Sequence, residues 1–354
     1  MFVYLNTIFV SDVINPYVYF NMKFKRNCNY ALLAALSLAT MFSCNSEQTK
    51  ESKEEIHNPA TQVIPEEAKQ IIGRWDITVE KEGKQVPSWL EVKLSGFNTI
   101  VGYFVADAGS ARPVSQIKYE NGKFYFEIPP QWEGGDGLIN VEGALEGGKL
   151  KGTITSNKGN VFSYEGEKAP YLVREGDMQL GQAIDLFNGK DLAGWKASSE
   201  DNQWEVKDGV LVNKKAGANL ISDQTFEDFK LEVEFKYAKE GNSGIYLRGR
   251  YEVQIEDSPL DRHPGSLYYG GVYGFLTPSE INTLGPDQWN KYEITLRGRM
   301  VTIVSNGKTV INNQEIPGIT GGALDSKEGA PGPIYLQGDH TGVEFRKITI
   351  TPIK

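Results

Sequence analysis

The sequence predicts an all-β protein: a small antiparallel β barrel or sandwich followed by a C-terminal jelly-roll-like β-sandwich. Three observations lead there. Apolar residues recur with period two in short runs, as in Trp75, Ile77 and Val79 or Phe229, Leu231, Val233, Phe235 and Tyr237. That spacing sends alternate side chains to opposite faces of a strand. The 354 residues include 38 Gly, 17 Tyr and 16 Phe, a mix that suits strands and tight turns. The C-terminal half shows no convincing long 3.6-residue pattern. The length favours two domains.

Composition narrows the chemistry. A formal charge of −9 gives no electrostatic reason to bind nucleic acid, whose phosphates call for a basic face. With two Cys and three His, a disulfide framework, a multi-cysteine zinc site or a mainly-histidine centre is excluded, and any metal would need carboxylates.

Residues 1–44 are read as processing signal. Met22-Lys23-Phe24-Lys25-Arg26 is a basic start, and an apolar run from Ala31 to Phe42 ends at Ser43-Cys44. This is a secretory signal, too short to span a bilayer. The small residue before Cys44 resembles a bacterial lipoprotein signal, which makes Cys44 the expected lipidation site, although Met41 stands where such signals prefer Leu. Met22 opens a better signal than Met1, so residues 1–21 are read as a start placed too early. Residues 45–69, with Glu51, Lys53, Glu54 and Glu55 close together, are expected to be a disordered tether. The expected location is the cell envelope, lipid-anchored, facing the periplasm or the cell surface, with the anchor as the only membrane contact.

Residues 70–168 form the first β domain. Leu90, Val92 and Leu94 alternate, Asn121-Gly122 marks a hairpin, and Phe124, Phe126 and Ile128 continue the next strand. No catalytic constellation is visible there. Trp132 and Glu133 lie in a Gly/Pro-rich loop and are read as surface loop, with sugar contact as the alternative. Residues 169–182 are a linker. The second domain, 183–354, is expected to fold on its own. In it Tyr292, Ile294 and Leu296 alternate and Asn306-Gly307 turns the chain. Val343 and Phe345 are odd while Ile348 and Ile350 are even, which predicts a one-residue bulge near Lys347.

Six phrases of this second domain stand in register: Leu186-Phe187-Asn188-Gly189-Lys190-Asp191-Leu192 with Trp195; Trp204-Glu205-Val206 with Asp208-Gly209-Val210-Leu211; Gly241-Asn242-Ser243-Gly244-Ile245-Tyr246-Leu247-Arg248; Tyr251-Glu252-Val253-Gln254-Ile255; Gln288-Trp289-Asn290; and Gly332-Pro333-Ile334-Tyr335-Leu336-Gln337 with Asp339-His340 and Phe345-Arg346. In this order they resemble the 3-keto-disaccharide hydrolase domain, common in bacterial lipoproteins. The resemblance covers roughly residues 183–352. It implies a concanavalin A-like lectin/glucanase sandwich acting on glycosides oxidised at C3, with the ketone supplied by a separate oxidoreductase. One departure stands out: the family often has Gln-Asp-His-Gly, whereas here Gly338 separates Gln337 from Asp339 and Thr341 separates His340 from Gly342.

Read as a strand, Tyr251–Glu256 turns Val253 and Ile255 to the core and Glu252, Gln254 and Glu256 to the opposite face. Paired carboxylates there can divide acid and base roles or hold a hard divalent cation; the alternative is a solvated polar face. Glu252 and Glu256 are the candidate base and metal ligands, and Gln254 a ligand of substrate or metal. On the preceding strand Tyr246 and Arg248 would share the polar face, Arg248 as a substrate clamp or as a structural ion pair. Asn242 and Ser243 could bind sugar hydroxyls or simply turn the chain. His340 suits general acid work, the alternative being a loop histidine capped by Asp339, and His263 is a weaker candidate. Tyr268, Tyr269, Tyr273 and Phe275 crowd a Gly-rich segment and suit stacking on sugar rings or edge packing of the sandwich; Tyr273 is the one taken as a substrate contact, with Gln337 and Asp339. Trp195 and Trp289 read as core or rim residues.

The expected function is cleavage of a 3-keto-glycoside by C2 proton abstraction, elimination and water addition, with an oligosaccharide or glycoside as substrate and a divalent metal cation as an open cofactor. The alternatives are a non-catalytic carbohydrate-binding lipoprotein, since fold does not fix function, and a conventional glycosidase working between two carboxylates.

Overall fold

The computed structural model describes residues 64–354. The signal segment, Cys44 and residues 45–63 lie outside the described residues. Among those described, no helix is long and apolar enough to cross a membrane. The described residues begin inside the stretch expected to be tether, and there α1 (Glu66–Lys69) buries Ala68, beside Ile64, in the first hydrophobic core.

The first domain is one nine-stranded antiparallel sheet. Its strands are β1 (Gly73–Lys81), β2 (Lys84–Ser95), β3 (Thr99–Val105), β4 (Arg112–Val114), β5 (Lys118–Glu120), β6 (Lys123–Ile128), β7 (Ile139–Glu146), β8 (Lys149–Thr155) and β9 (Val161–Lys168). They run in the order β4-β3-β2-β1-β9-β8-β7-β6-β5, and β4 approaches β6, so the sheet curls into a barrel. Trp75, Ile77, Phe124, Phe126 and Ile128 fill it as their alternation requires. Asn121 and Gly122 both have positive φ, as a two-residue hairpin turn demands.

The second domain packs two antiparallel sheets. Its strands are β10 (Ile184–Asp185), β11 (Trp195–Ala197), β12 (Trp204–Lys207), β13 (Val210–Asn213), β14 (Leu220–Phe226), β15 (Asp228–Tyr237), β16 (Asn242–Leu247), β17 (Tyr251–Glu256), β18 (Asn290–Arg297), β19 (Met300–Ser305), β20 (Lys308–Glu315), β21 (Gly332–Leu336) and β22 (Val343–Ile353). One sheet runs β12-β13-β22-β15-β18-β19-β20, with β10 added beside β22; the other runs β11-β14-β21-β16-β17. The alternating residues of β15, β18 and β19 meet Ile245, Val253, Ile255 and Leu336 in one core. Glu234 pairs Lys347 but Phe235 pairs Phe345, so Arg346 is the extra residue of the bulge that the parity change predicts.

The barrel and the sandwich touch directly. Trp89 of β2 packs edge-on against Phe275, with ring centroids 5.2 Å apart, and joins the sandwich core. The Gly322 amide donates to the Asp107 carbonyl at 3.1 Å.

Candidate active site

The site grows from three adjacent strands. In the ladder of β16 and β17, Tyr246 lies opposite Glu252, Gly244 opposite Gln254 and Asn242 opposite Glu256, while Tyr335 of β21 lies opposite Tyr246. Because Ile245, Val253 and Ile255 point into the core, the even-numbered row on β16 and β17 must face away from it. That face floors a cavity of ≈ 460 Å³ lined by Asn242, Tyr246, Glu252, Gln254, Tyr273, Tyr335, Gln337, Asp339 and His340. The barrel covers it with Ala108, Gly109 and Trp132, and the loop carrying Gly321 and Gly322 completes the wall.

Glu252 is the buried carboxyl of this cavity. Only 3% of it is exposed, and burial raises its carboxyl to about 8, against the lowering effects of a hydrogen bond from Tyr246 and the charge of His340. The Tyr246 hydroxyl is 3.0 Å from Glu252 Oε2 and 2.9 Å from the Gly321 carbonyl. Tyr246 is the donor in both contacts, and a hydroxyl has one proton to give; given to Glu252 it favours the ionised carboxylate and offsets part of the effect of burial. Tyr246 is fixed by Tyr335, whose ring stacks on it at 4.2 Å and 10°.

At the half-exposed rim, His340 Nδ1 is 2.6 Å from Asp339 Oδ1. That bond raises the imidazole above its ordinary value against the effect of burial, with the charges of Asp339 and Glu252 adding to it. Burial would lift Asp339, but bonds from His340 and Asn219 outweigh it and hold its carboxylate below the usual range. With Nδ1 engaged, proton transfer falls to Nε2. The remaining groups are acceptors. Gln254 Nε2 donates to the Leu267 carbonyl at 3.3 Å, while Gln254 Oε1, Asn242 Oδ1 and Gln337 Oε1 are buried without a protein partner. Buried acceptors aimed into a cavity suit a ligand rich in hydroxyl donors.

Four sequence-predicted residues fall elsewhere. Glu256 turns to the Ser258 hydroxyl and does not line the cavity, so Glu252 and Glu256 do not converge as metal ligands. Among the described residues, no group of three or more His, Cys, Asp or Glu is placed to hold a metal ion. Ser243 is buried and donates to the Gln337 carbonyl at 2.8 Å, so it positions β21 instead of touching a ligand. Arg248 is not a clamp. Alternation stops at Leu247, and Arg248 enters the turn at φ 52°. Its guanidinium lies 5.2 Å from the Tyr251 ring and donates to the Tyr251 hydroxyl and the Gly298 carbonyl at 3.1 and 2.8 Å. His263 is exposed and outside the cavity.

Sequence reasoning missed Tyr335 and gave Trp132 to the surface. Tyr335 carried a signal, its place two residues before Gln337 on one strand face. Trp132 carried none beyond a Gly/Pro-rich loop. A larger cavity of ≈ 750 Å³ lies between barrel and sandwich, lined by Asp76, Lys168 and Glu328 among others; it holds neither a histidine nor a stacked aromatic floor.

Residues 182–351 match the family model described as a 3-keto-alpha-glucoside-1,2-lyase-like domain. A 3-keto-disaccharide hydrolase of Bacteroides thetaiotaomicron is 33% identical over 86 residues, covering 21% of this chain and 29% of that protein. The match therefore spans less than a third of the curated relative's length. Among solved structures, two described as glycosyl hydrolases of Parabacteroides distasonis are similar. One is 28% identical, covering 51% of this chain and 93% of the other, with a TM-score of 0.41. The second is 19% identical, covering 49% and 94%, with a TM-score of 0.41.

Proposed function

Starting from residues 182–351 as a 3-keto-alpha-glucoside-1,2-lyase-like domain, we propose that the protein is a hydrolase that cleaves glycosides oxidised at C3. The observation that carries this reading is a single buried, strongly basic carboxylate, Glu252, facing a cavity whose rim holds a histidine of raised proton affinity. A glycosidase of the usual kind works with two carboxyl groups across the bond. Here Asp339, the other carboxylate of the cavity, is committed to His340.

The ketone at C3 acidifies the hydrogen on C2. Glu252, once ionised, takes that proton, and the electron pair moves into an enediolate. The Tyr335 hydroxyl and the Tyr246–Glu252 pair stand on the floor where that charge develops. The C1–O bond then breaks, and the leaving oxygen takes a proton from His340 Nε2. Water then adds across the C1–C2 double bond: its proton goes to His340 Nε2, its hydroxide to C1, and Glu252 returns its proton to C2. The net change is hydrolysis, with no oxidant consumed.

A separate oxidoreductase would supply the ketone. Cell-envelope placement through a lipid on Cys44 is part of the same proposal, tested by loss of lipid labelling in Cys44→Ala. The activity test offers a C3-oxidised glucoside and its unoxidised parent, with a chelator arm to report any divalent cation. Aglycone release from the oxidised sugar alone is expected. Equal release from both would contradict the reading, and binding without release would point to a carbohydrate-binding protein.

A further inference from the structure

We propose that the barrel domain completes the site, with Trp132 as the platform for the leaving-group half of the substrate, selecting a ring-shaped aglycone over a small one. This rests on the 3-keto-glycoside reading and names the part of the substrate that the matched domain alone does not hold.

Trp132 is 68% exposed, yet the loop backbone that carries it is anchored. Glu133 accepts the backbone amides of Gln131 and Trp132 at 2.6 and 3.0 Å and pairs with Arg112 at 2.9 Å. Gln131 Oε1 accepts the Ser110 amide at 2.9 Å, tying this loop to the one that carries Gly109. A Cβ on Gly109 would stand 3.0 Å from the indole, so the glycine admits the ring. The indole, Tyr273 and Glu252 line the same cavity. Trp132 stands at its exposed side, while Glu252 is buried in its floor.

That position decides which half of the substrate it meets. Glu252, Tyr246 and Gln254 are buried in the floor, so the ring losing its C2 proton must lie against them. What projects to the opening is the group on C1. An indole face there offers stacking to a second sugar or aromatic ring, with only two side-chain angles to fix on binding.

The test compares a 3-keto-disaccharide with methyl 3-keto-glucoside, using wild type, Trp132→Ala and Trp132→Phe. For Trp132→Ala, the loss in kcat/KM should be about tenfold larger on the disaccharide, as one good aromatic stack implies, with Trp132→Phe recovering most of it. Equal losses on both substrates, or none on the disaccharide, would overturn the proposal. Affinities for the same two sugars, measured by calorimetry in a Glu252→Gln background, separate it from the chemistry. If wild type cleaves neither sugar the keto-glycoside reading fails, and the affinity ratio still decides the role of Trp132. Absence of binding to either sugar overturns both.

Discussion

Glu252 owes its reactivity to where the strand puts it. A carboxylate removed from water loses solvation, and one hydroxyl does not restore it, so its proton is held to about 8. Two outcomes follow for this residue. Glu252→Gln keeps the shape and removes the base; turnover should fall at least ~10²-fold, within the range typical of general acid/base groups. The melting temperature should stay level near neutral pH, where the carboxyl is largely protonated, and rise only above about 8, where the native carboxyl would be a buried charge. The pH profile carries a sign as well. The base must be ionised, so kcat/KM should climb with pH towards about 8. Tyr246→Phe removes a donor that favours the carboxylate, so this limb should move to higher pH; a shift to lower pH would contradict the pairing.

At the scale of the element, β16 and β17 show what the period of two can and cannot reveal. The parity of Tyr251–Glu256 was legible because Val253 and Ile255 are the apolar members of an alternating run, and the same logic placed Gln254 beside Glu252. It failed at both ends. Arg248 lies beyond the last paired residue, Leu247, in a turn of positive φ, where alternation has no meaning. Glu256 keeps its parity, but the Ser258 hydroxyl two residues on captures its carboxylate. Paired substitutions test the two faces. A Cβ on Gly244 would meet the Glu252 carboxyl, with Cγ at 2.8 Å; that carboxyl is the movable end of a side chain, so Gly244→Ala should displace the base and lose activity with little loss of stability. Val253→Ala should do the opposite, leaving a core cavity that costs on the order of 1–3 kcal/mol while the folded fraction stays active. Thermal melts and turnover on both variants decide the matter, and the reverse pattern would mean that the faces are exchanged.

The whole molecule adds what no local pattern shows. Trp132 reaches the cavity only because barrel and sandwich dock, and the contact of Trp89 with Phe275 joins residues far apart in sequence. The fold of each half was readable from alternation and turn residues; their mutual placement was not, because docking depends on surface shape. The same interface buries a further carboxyl. Burial raises Asp76 well above the usual carboxyl range, with the Glu328 charge adding and Arg299 opposing; Glu328 itself pairs with Arg299 and accepts the Tyr251 hydroxyl at 2.7 Å. The folded protein therefore keeps a proton on Asp76 that the unfolded chain releases. That contribution to stability is full below the unfolded pKa near 3.9 and is lost as pH rises through the folded value. Asp76→Asn should flatten the fall of melting temperature from mildly acidic to alkaline pH; an unchanged slope would remove Asp76 from the account of the interface.

The central claim is that Glu252 takes the C2 proton of a 3-keto sugar, and the label at C2 tests it most directly. A 3-keto-glycoside deuterated at C2 is compared with its protiated form, and the rate of aglycone release is followed in wild type and in Glu252→Gln. Slower release from the deuterated sugar in wild type, and release abolished in Glu252→Gln, is the expected result. Equal rates for the two sugars, with release persisting in Glu252→Gln, would mean that the bond breaks without abstraction of the C2 proton by Glu252, and that Glu252 has another role.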